Sequence, residues 1–187
     1  MGLDVSEVCK RLGITPELLT DRNLRTPHEA QGLFWSVMEE VSQDPNIGLH
    51  LGENMPVYKG QVLQYLFLSS PTFGDGLARA FNYQRLLSDA SQASVEVHDG
   101  LACIVVDSVS ELLGSLRHLN ECMVLGLIGF FRYVTDGAFR PSAIDFSHSA
   151  PTDTSEYERI FGCPVRFSEP ETRIHFDIQL LDLPSLH

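Results

Sequence analysis

The stretch DFSHSAPTDTSEYERIFGCPVRF, residues 145–167, decides the reading of this chain. It closes on Phe161-Gly162-Cys163-Pro164-Val165-Arg166-Phe167. Gly162 suits the left-handed backbone that ends a helix, and Pro164 prevents the helix from resuming. A strand has to begin at once, at Val165, and the aromatic residues on either side drop into a core. Each such ring contributes about 1.5–3 kcal/mol when fully buried. Upstream, Asp153 and Glu156 are read as capping a short helix over Ser155–Phe161, and Ala143, Ile144 and Phe146 as a strand that stops at His148-Ser149-Ala150-Pro151. Downstream, a turn at Glu169-Pro170-Glu171 leads into residues 173–178, where Ile174, Phe176 and Ile178 alternate with Arg173, His175 and Asp177, the period of a half-buried strand. The stretch marks a fold rather than a chemistry.

Moving toward the N-terminus, residues 110–136 read as one long helix, with Leu116, Leu119, Met123, Leu127, Phe130 and Val134 in a three-four rhythm. Between Cys122 and Phe131 the apolar residues run nearly all the way round, so this helix must be covered on both sides, by a sheet and by either the N-terminal helices or another subunit. Gly126 and Gly129 are the expected points of close approach. Before it, Ala93, Val95 and Val97 alternate with polar residues, Asp99-Gly100 is a two-residue hairpin signal, and residues 101–107 form the return strand. The first ninety or so residues are helical. Residues 4–12 end at Gly13; Thr26-Pro27-His28-Glu29 resembles a capping box ahead of Ala30, Leu33, Phe34, Val37, Met38 and Val41; Asp44-Pro45-Asn46 stops that helix. Residues 47–52 give one or two further turns, residues 61–69 lean to helix, and Thr72 with Asp75 forms a second capping box opening a helix through Leu87.

The expected architecture is α+β: N-terminal helices, then an antiparallel sheet of about five strands packed on one long helix. Short connections argue for one domain over residues 1–187, with a helical part over about 1–90 and an α+β part over about 91–187.

Charge excludes one class of partner. With 25 acidic and 13 basic side chains the formal net charge is −12, which repels phosphate backbones, so this chain is not expected to contact nucleic acid itself. No apolar run approaches a membrane span, and the N-terminus has neither the form of a signal peptide nor a supported myristoylation start. Cys9, Cys103, Cys122 and Cys163 lie too far apart for a zinc motif or a disulfide framework and read as reduced thiols in a cytoplasmic protein. Catalytic signatures are missing, and no enzyme, cofactor or resident metal is expected. Asp107 and Glu111 read as a cap and a solvated side chain at a strand–helix junction.

Two features invite a sharper reading. His118 and Cys122 share a helix face and could ligate a metal or a haem iron, with His98 and Cys103 as conceivable additions. The plainer reading, a polar helix edge beside a small core residue, is preferred because a site needs more ligands than two. His148 reads as a turn residue bonded to local backbone. The second feature is a ligand pocket between the long helix, the helix opened by Thr72 and the sheet, lined by Tyr65, Phe81, Tyr83, Phe130, Arg132 and Tyr133. An anionic ligand would want Arg132 or Arg85; surface ion pairs are an equal alternative for both.

The segments Phe146-Ser-His148-Ser-Ala-Pro151, Tyr157 and Phe161-Gly162-Cys-Pro164-Val165-Arg-Phe167 together resemble the arabinose-binding-type N-terminal domain of AraC-family regulators. Leu180-Leu-Asp-Leu183-Pro184 is similar to that family's exit into its linker. Ser69-Ser70-Pro71-Thr72 with Leu77 and Tyr83 is similar to its S-S-P-T helix, with Gly76 where Ala is usual, and Gly48-Leu49-His50-Leu51-Gly52 to its short helix after Asp44-Pro45. The resemblance covers nearly the whole chain. It implies effector sensing, homodimerisation and control of transcription, with DNA contacted only through a C-terminal pair of helix-turn-helix units. No such units stand before His187, so an excised domain or a stand-alone relative is expected. The alternative is a haem- or metal-binding redox or gas sensor of a signalling protein.

Overall fold

The computed structural model describes residues 3–20, 27–55, 62–86, 91–98 and 100–184. Helices come first: α1 (Val5–Leu12), α2 (Ala30–Ser42), α3 (Ile47–Asn54), α4 (Val62–Leu68) and α5 (Phe73–Asn82). The hairpin β1 (Ser91–His98) and β2 (Leu101–Ser108) follows, then α6 (Glu111–Ser115), α7 (Arg117–Val134), β3 (Pro141–Asp145), α8 (Ser155–Phe161), β4 (Val165–Arg166) and β5 (Thr172–Asp177). The α+β expectation holds, with one correction. The five strands run in the order β1-β2-β5-β3-β4, and β3 and β4 are parallel, so the sheet is mixed. The reason lies in residues 145–167: α8 carries the chain across, and a strand reached by a crossover runs parallel to the one it left.

Pairing aligns Val95, Ile104, Ile174, Ile144 and Val165 in one row across all five strands. Ile104, Ile174 and Ile144 are fully buried in the main core, where Phe73, Phe130, Phe131, Phe139, Phe146, Tyr157 and Phe176 also lie. The other face of the sheet is polar. Arg173 pairs with Glu96 at 2.9 Å and Glu171 at 2.6 Å, Asp145 with Arg166 at 2.6 Å and His175 at 2.7 Å. Cys103 lies under the Arg173 guanidinium, which donates to its sulfur at 3.4 Å.

Several helix ends follow their sequence signals. Asp4 accepts from the Glu7 amide and Gly13 closes α1 at φ 67°. Thr72 accepts from the Asp75 amide, but its hydroxyl rather than its amide meets the Asp75 carboxylate, at 2.9 Å. Gly162 closes α8 at φ 65°; Asp153 accepts from the Ser155 amide, and Glu156 makes no cap bond. Other expectations need correction. Thr26, Gln61, Leu87 and Asp99 lie outside the described residues, and Glu29 precedes α2 without a side-chain cap bond. Helix α2 stops at Ser42 because Gln43 adopts φ 55°, ahead of Asp44. Helix α5 ends at Asn82 and a 3₁₀ turn, Gln84–Leu86, follows.

The helix expected over residues 110–136 is two helices. Leu116 is extended, at ψ 95°, and serves as the end of α6 and the start of α7. The buried Asn120 side chain spans the break: its Nδ2 donates to the carbonyls of Leu113, Gly114 and Leu116, of which Leu113 and Leu116 also accept backbone amides, from Leu116 and Asn120. Ser110, not Asp107, caps α6.

The apolar surround of α7 is covered by the sheet on one side and by α3 on the other. The glycines that permit this contact belong to α3. A Cβ on Gly48 would lie 2.5 Å from the His118 backbone, and one on Gly52 2.8 Å from the Leu125 Cβ. Gly126 faces only the flexible end of Met55. Beyond this seam a second, smaller core holds Val8, Trp35, Val37, Met38, Ile47 and Cys122.

Gly48→Ala is therefore expected to destabilise the chain by about 1–3 kcal/mol, the usual cost of overpacking. Gly114→Ala, whose Cβ would meet only Ser108 at 3.7 Å, is expected to be neutral or slightly stabilising. Urea unfolding of both variants checks the pair; equal midpoints would refute the seam's role.

Candidate functional site

Helix α7 carries polar side chains at both ends. Near its start Glu121 is fully buried. Its carboxylate accepts from Arg117 Nε at 2.7 Å, from the Tyr157 hydroxyl and from His118 Nδ1 at 3.3 Å. Arg117 continues outward, its Nη2 donating to the Pro45 carbonyl at 2.7 Å and to Asn46 Oδ1 at 2.8 Å. His118 Nε2 meets Glu39 at 3.1 Å. Four elements thus converge: α2 through Glu39, the loop before α3, α7 itself and α8 through Tyr157. Burial alone would push the Glu121 carboxyl up, but bonds from His118, Tyr157 and Arg117 hold it below the ordinary range. Burial alone would push His118 down, but Glu121 and Glu39 raise it. Beside this cluster His50 bridges Asp44 at 2.6 Å and Glu156 at 3.0 Å, and is likewise raised against the pull of burial.

This arrangement answers the metal reading of His118. Both ring nitrogens face carboxylates, and the Cys122 thiol is pushed up to about 11 by burial, so neither group is presented as a free ligand. Among the described residues no group of three His, Cys, Asp or Glu side chains could hold a metal ion. His98 is exposed while Cys103 is buried under Arg173. His148 bonds the Ser149 carbonyl through Nδ1 at 3.0 Å, as its turn position implied, and its ring packs tilted against Phe146 with centroids 4.7 Å apart.

The six expected pocket residues are divided among different neighbours. Phe130 is in the main core, its ring 5.0 Å from Phe67 of α4. The Tyr133 hydroxyl accepts from Gln64 of α4 at 3.0 Å, so these two residues of α7 meet the same helix. Tyr65, also on α4, is 64% exposed. Phe81 packs partly buried at the end of α5, and Tyr83, at its C-cap, is 53% exposed. Arg132 is half-buried and has Arg140 and Cys163 as its ionisable neighbours. The ion pair weighed for Arg132 is not present among the described residues, and Arg85 is exposed. Sequence reasoning missed the Glu121 cluster. Its signal was there: Arg117 and Glu121 are four apart, and the acid abuts a segment apolar on every side.

A family model, the arabinose-binding domain of AraC transcription regulators (N-terminal), matches residues 2–185. The chain belongs to this family. The AraC-type domain is 22% identical over 171 residues to the ornithine utilization regulator of Pseudomonas aeruginosa, covering 91% of this chain and 50% of that protein. It therefore spans about half the length of the curated relative it matches. In fold it is similar to the crystal structure of the transcriptional regulator CdpR from Pseudomonas aeruginosa, with a TM-score of 0.65 and 16% identity over 94% of this chain and 56% of that one. Among the described residues no helix of the AraC-type domain is long and apolar enough to cross a membrane.

The Glu121 cluster generates a pH signature with a definite sign. A raised His118 contributes stability that is fully present below its unfolded value, about 6.5, and is lost as pH rises through the folded value. A lowered Glu121 contributes stability present above its unfolded value, about 4.3, and lost as pH falls through the folded one. The difference in Tm between wild type and His118→Asn is expected to be largest near about pH 5–6 and to shrink toward about pH 9. Because His50 is common to both proteins its titration cancels. A gap that stays flat or widens with pH would remove His118 from the cluster's energetics.

Proposed function

We propose that this chain is the effector-sensing and dimerisation domain of an AraC-type transcriptional regulator, and that a separate helix-turn-helix module of that regulator reads DNA. The single observation that carries the reading is the family match over residues 2–185. The length of the matched relative supports the division of labour, since a protein about twice as long has room for a second module. The net charge of −12 supports it too, because an acidic sensing domain leaves phosphate contacts to another part of the molecule. One domain over residues 1–187, acting in the cytoplasm where the DNA is, is the organisation proposed.

The effector is a small organic molecule, bound reversibly and released unchanged. Its site is assigned to the C-terminal half of α7 and the adjoining ends of α4 and α5, with Tyr65, Phe81, Tyr83, Phe130, Arg132 and Tyr133 contributing. Binding that favours one of two arrangements of this domain would bias the attached DNA-binding module. The dimer contact is assigned to exposed helical surface rather than to residues 122–131, because α3 covers that segment.

A compound screen by thermal shift tests the sensing role. A true effector at about 100 times its Kd adds about 2.7 kcal/mol to native stability, which for a chain of this size raises Tm by roughly 5–10 °C. The compound should be recovered chemically unchanged, and residues 1–187 should not retain operator DNA in a gel shift; altered product or sequence-specific retention would overturn the reading. Sedimentation at tens of micromolar protein should give a dimer, and a monomer there would remove the dimerisation role.

A further inference from the structure

We propose that Arg132 and Arg140 form the receptor for a small organic monocarboxylate at the C-terminal end of α7, near Cys163. The proposal deepens the effector reading above and rests on it. Its ground is an imbalance of charge. Arg117 is committed to Glu121, Arg159 to Glu53 and Glu156, Arg166 to Asp145, and Arg173 to Glu96 and Glu171. Arg132 is half-buried, yet among the described residues no carboxylate pairs with it, in a chain whose acids outnumber its bases 25 to 13. Its Nε is shielded from solvent and has no hydrogen-bond partner. Leaving such a donor unsatisfied is costly, and more so for a charged group.

The surroundings bring a second arginine near the first. Asp136 and Gly137 adopt left-handed backbone, at φ 50° and 77°, and turn the chain back over the end of α7. The Gly137 amide donates to the Arg132 carbonyl at 2.6 Å. Arg140 Nη1 donates to the carbonyls of Gly137 and Phe139, so its side chain is drawn back onto the same turn. Burial and the neighbouring Arg140 both disfavour the charge on Arg132. The carbonyl end of α7 offers limited relief: the Phe131 carbonyl already accepts from the Thr135 amide and hydroxyl, and the Arg132 carbonyl from Gly137. Cys163 does not neutralise the pair either, because burial raises its thiol and keeps it protonated. What would complete the site is an acceptor with two oxygens in the plane of one guanidinium, the geometry of a carboxylate. A single negative charge suits the place better than a phosphate dianion, given the net charge of the chain.

Cys163 supplies a reporter. Iodoacetate is itself a small carboxylate, and the Cys163 thiolate that displaces its iodide lies within electrostatic range of Arg132. The rate of Cys163 modification by iodoacetate relative to neutral iodoacetamide is read by peptide mapping on the whole chain, with a small free thiol in the same solution as the reference. In wild type the ratio at Cys163 is expected to exceed that of a free thiol several-fold, and benzoate should lower it. Arg132→Gln should bring the ratio to the free-thiol value, Arg132→Lys should retain part of the excess, and Arg140→Gln should reduce it, with circular dichroism reporting that each variant folds. A wild-type ratio equal to that of the free thiol, or one unchanged in folded Arg132→Gln, overturns the proposal. If a neutral compound shifts Tm and operator affinity while the ratio stays flat, the carboxylate site falls and the sensing role stands. If carboxylates protect Cys163 but no compound alters operator affinity of the whole regulator, the site stands and the sensing role falls.

Discussion

The crossing of α3 over α7 is the contact on which the rest of the molecule depends. Gly48 and Gly52 let the two backbones approach closer than any side chain would allow, and that approach covers the face of α7 turned away from the sheet. Behind it lies a fully buried carboxylate, Glu121, which is tolerable only because an arginine, a tyrosine and a histidine meet it from three directions. A buried ion of this kind is weak evidence for stability, since desolvation offsets most of the attraction. It is stronger evidence for placement. Removing any partner leaves the buried carboxylate short of a charge or a hydrogen bond, so the loop before α3, helix α2 and helix α8 are each held in one position relative to α7.

From that anchor the sheet can be one-sided. Its inner face is a row of β-branched residues against the helices; its outer face is screened by the paired charges of Arg173, Glu96, Asp145, Arg166 and His175. The edge strand β1 is partly closed by a side chain. The Gln84 amide accepts from the Ala93 N–H at 2.6 Å and donates to its carbonyl at 3.1 Å, taking the place a neighbouring strand would fill.

The two ends of α7 then carry opposite electrostatic solutions. At the N-terminal end Arg117 is neutralised within the fold and serves to position helices. At the C-terminal end Arg132 lies near another arginine and forms no ion pair among the described residues. The same residue type on the same helix is structural in one place and left open in the other, and the proposed sensing role calls for both: a rigid frame and a place where a ligand changes the balance.

Local physics was legible in the sequence. Asp4 and Gly13 bound α1, Thr72 starts α5, Gly162 and Pro164 force the helix-to-strand change, and the period of two at Ala93, Val95 and Val97 marks β1, because each of these signals depends only on backbone conformation or on neighbours a few residues away. The family signature in residues 145–167 was legible for the same reason. Tertiary structure alone decided the parallel pairing of β3 with β4, the break at Leu116 that Asn120 spans, the burial of Glu121 and the unneutralised state of Arg132. Those outcomes turn on which side chains from distant segments arrive together: Tyr157 lies 36 residues from Glu121 and Pro45 lies 72 from Arg117. No periodicity or spacing within one segment reports what the fold brings to meet it.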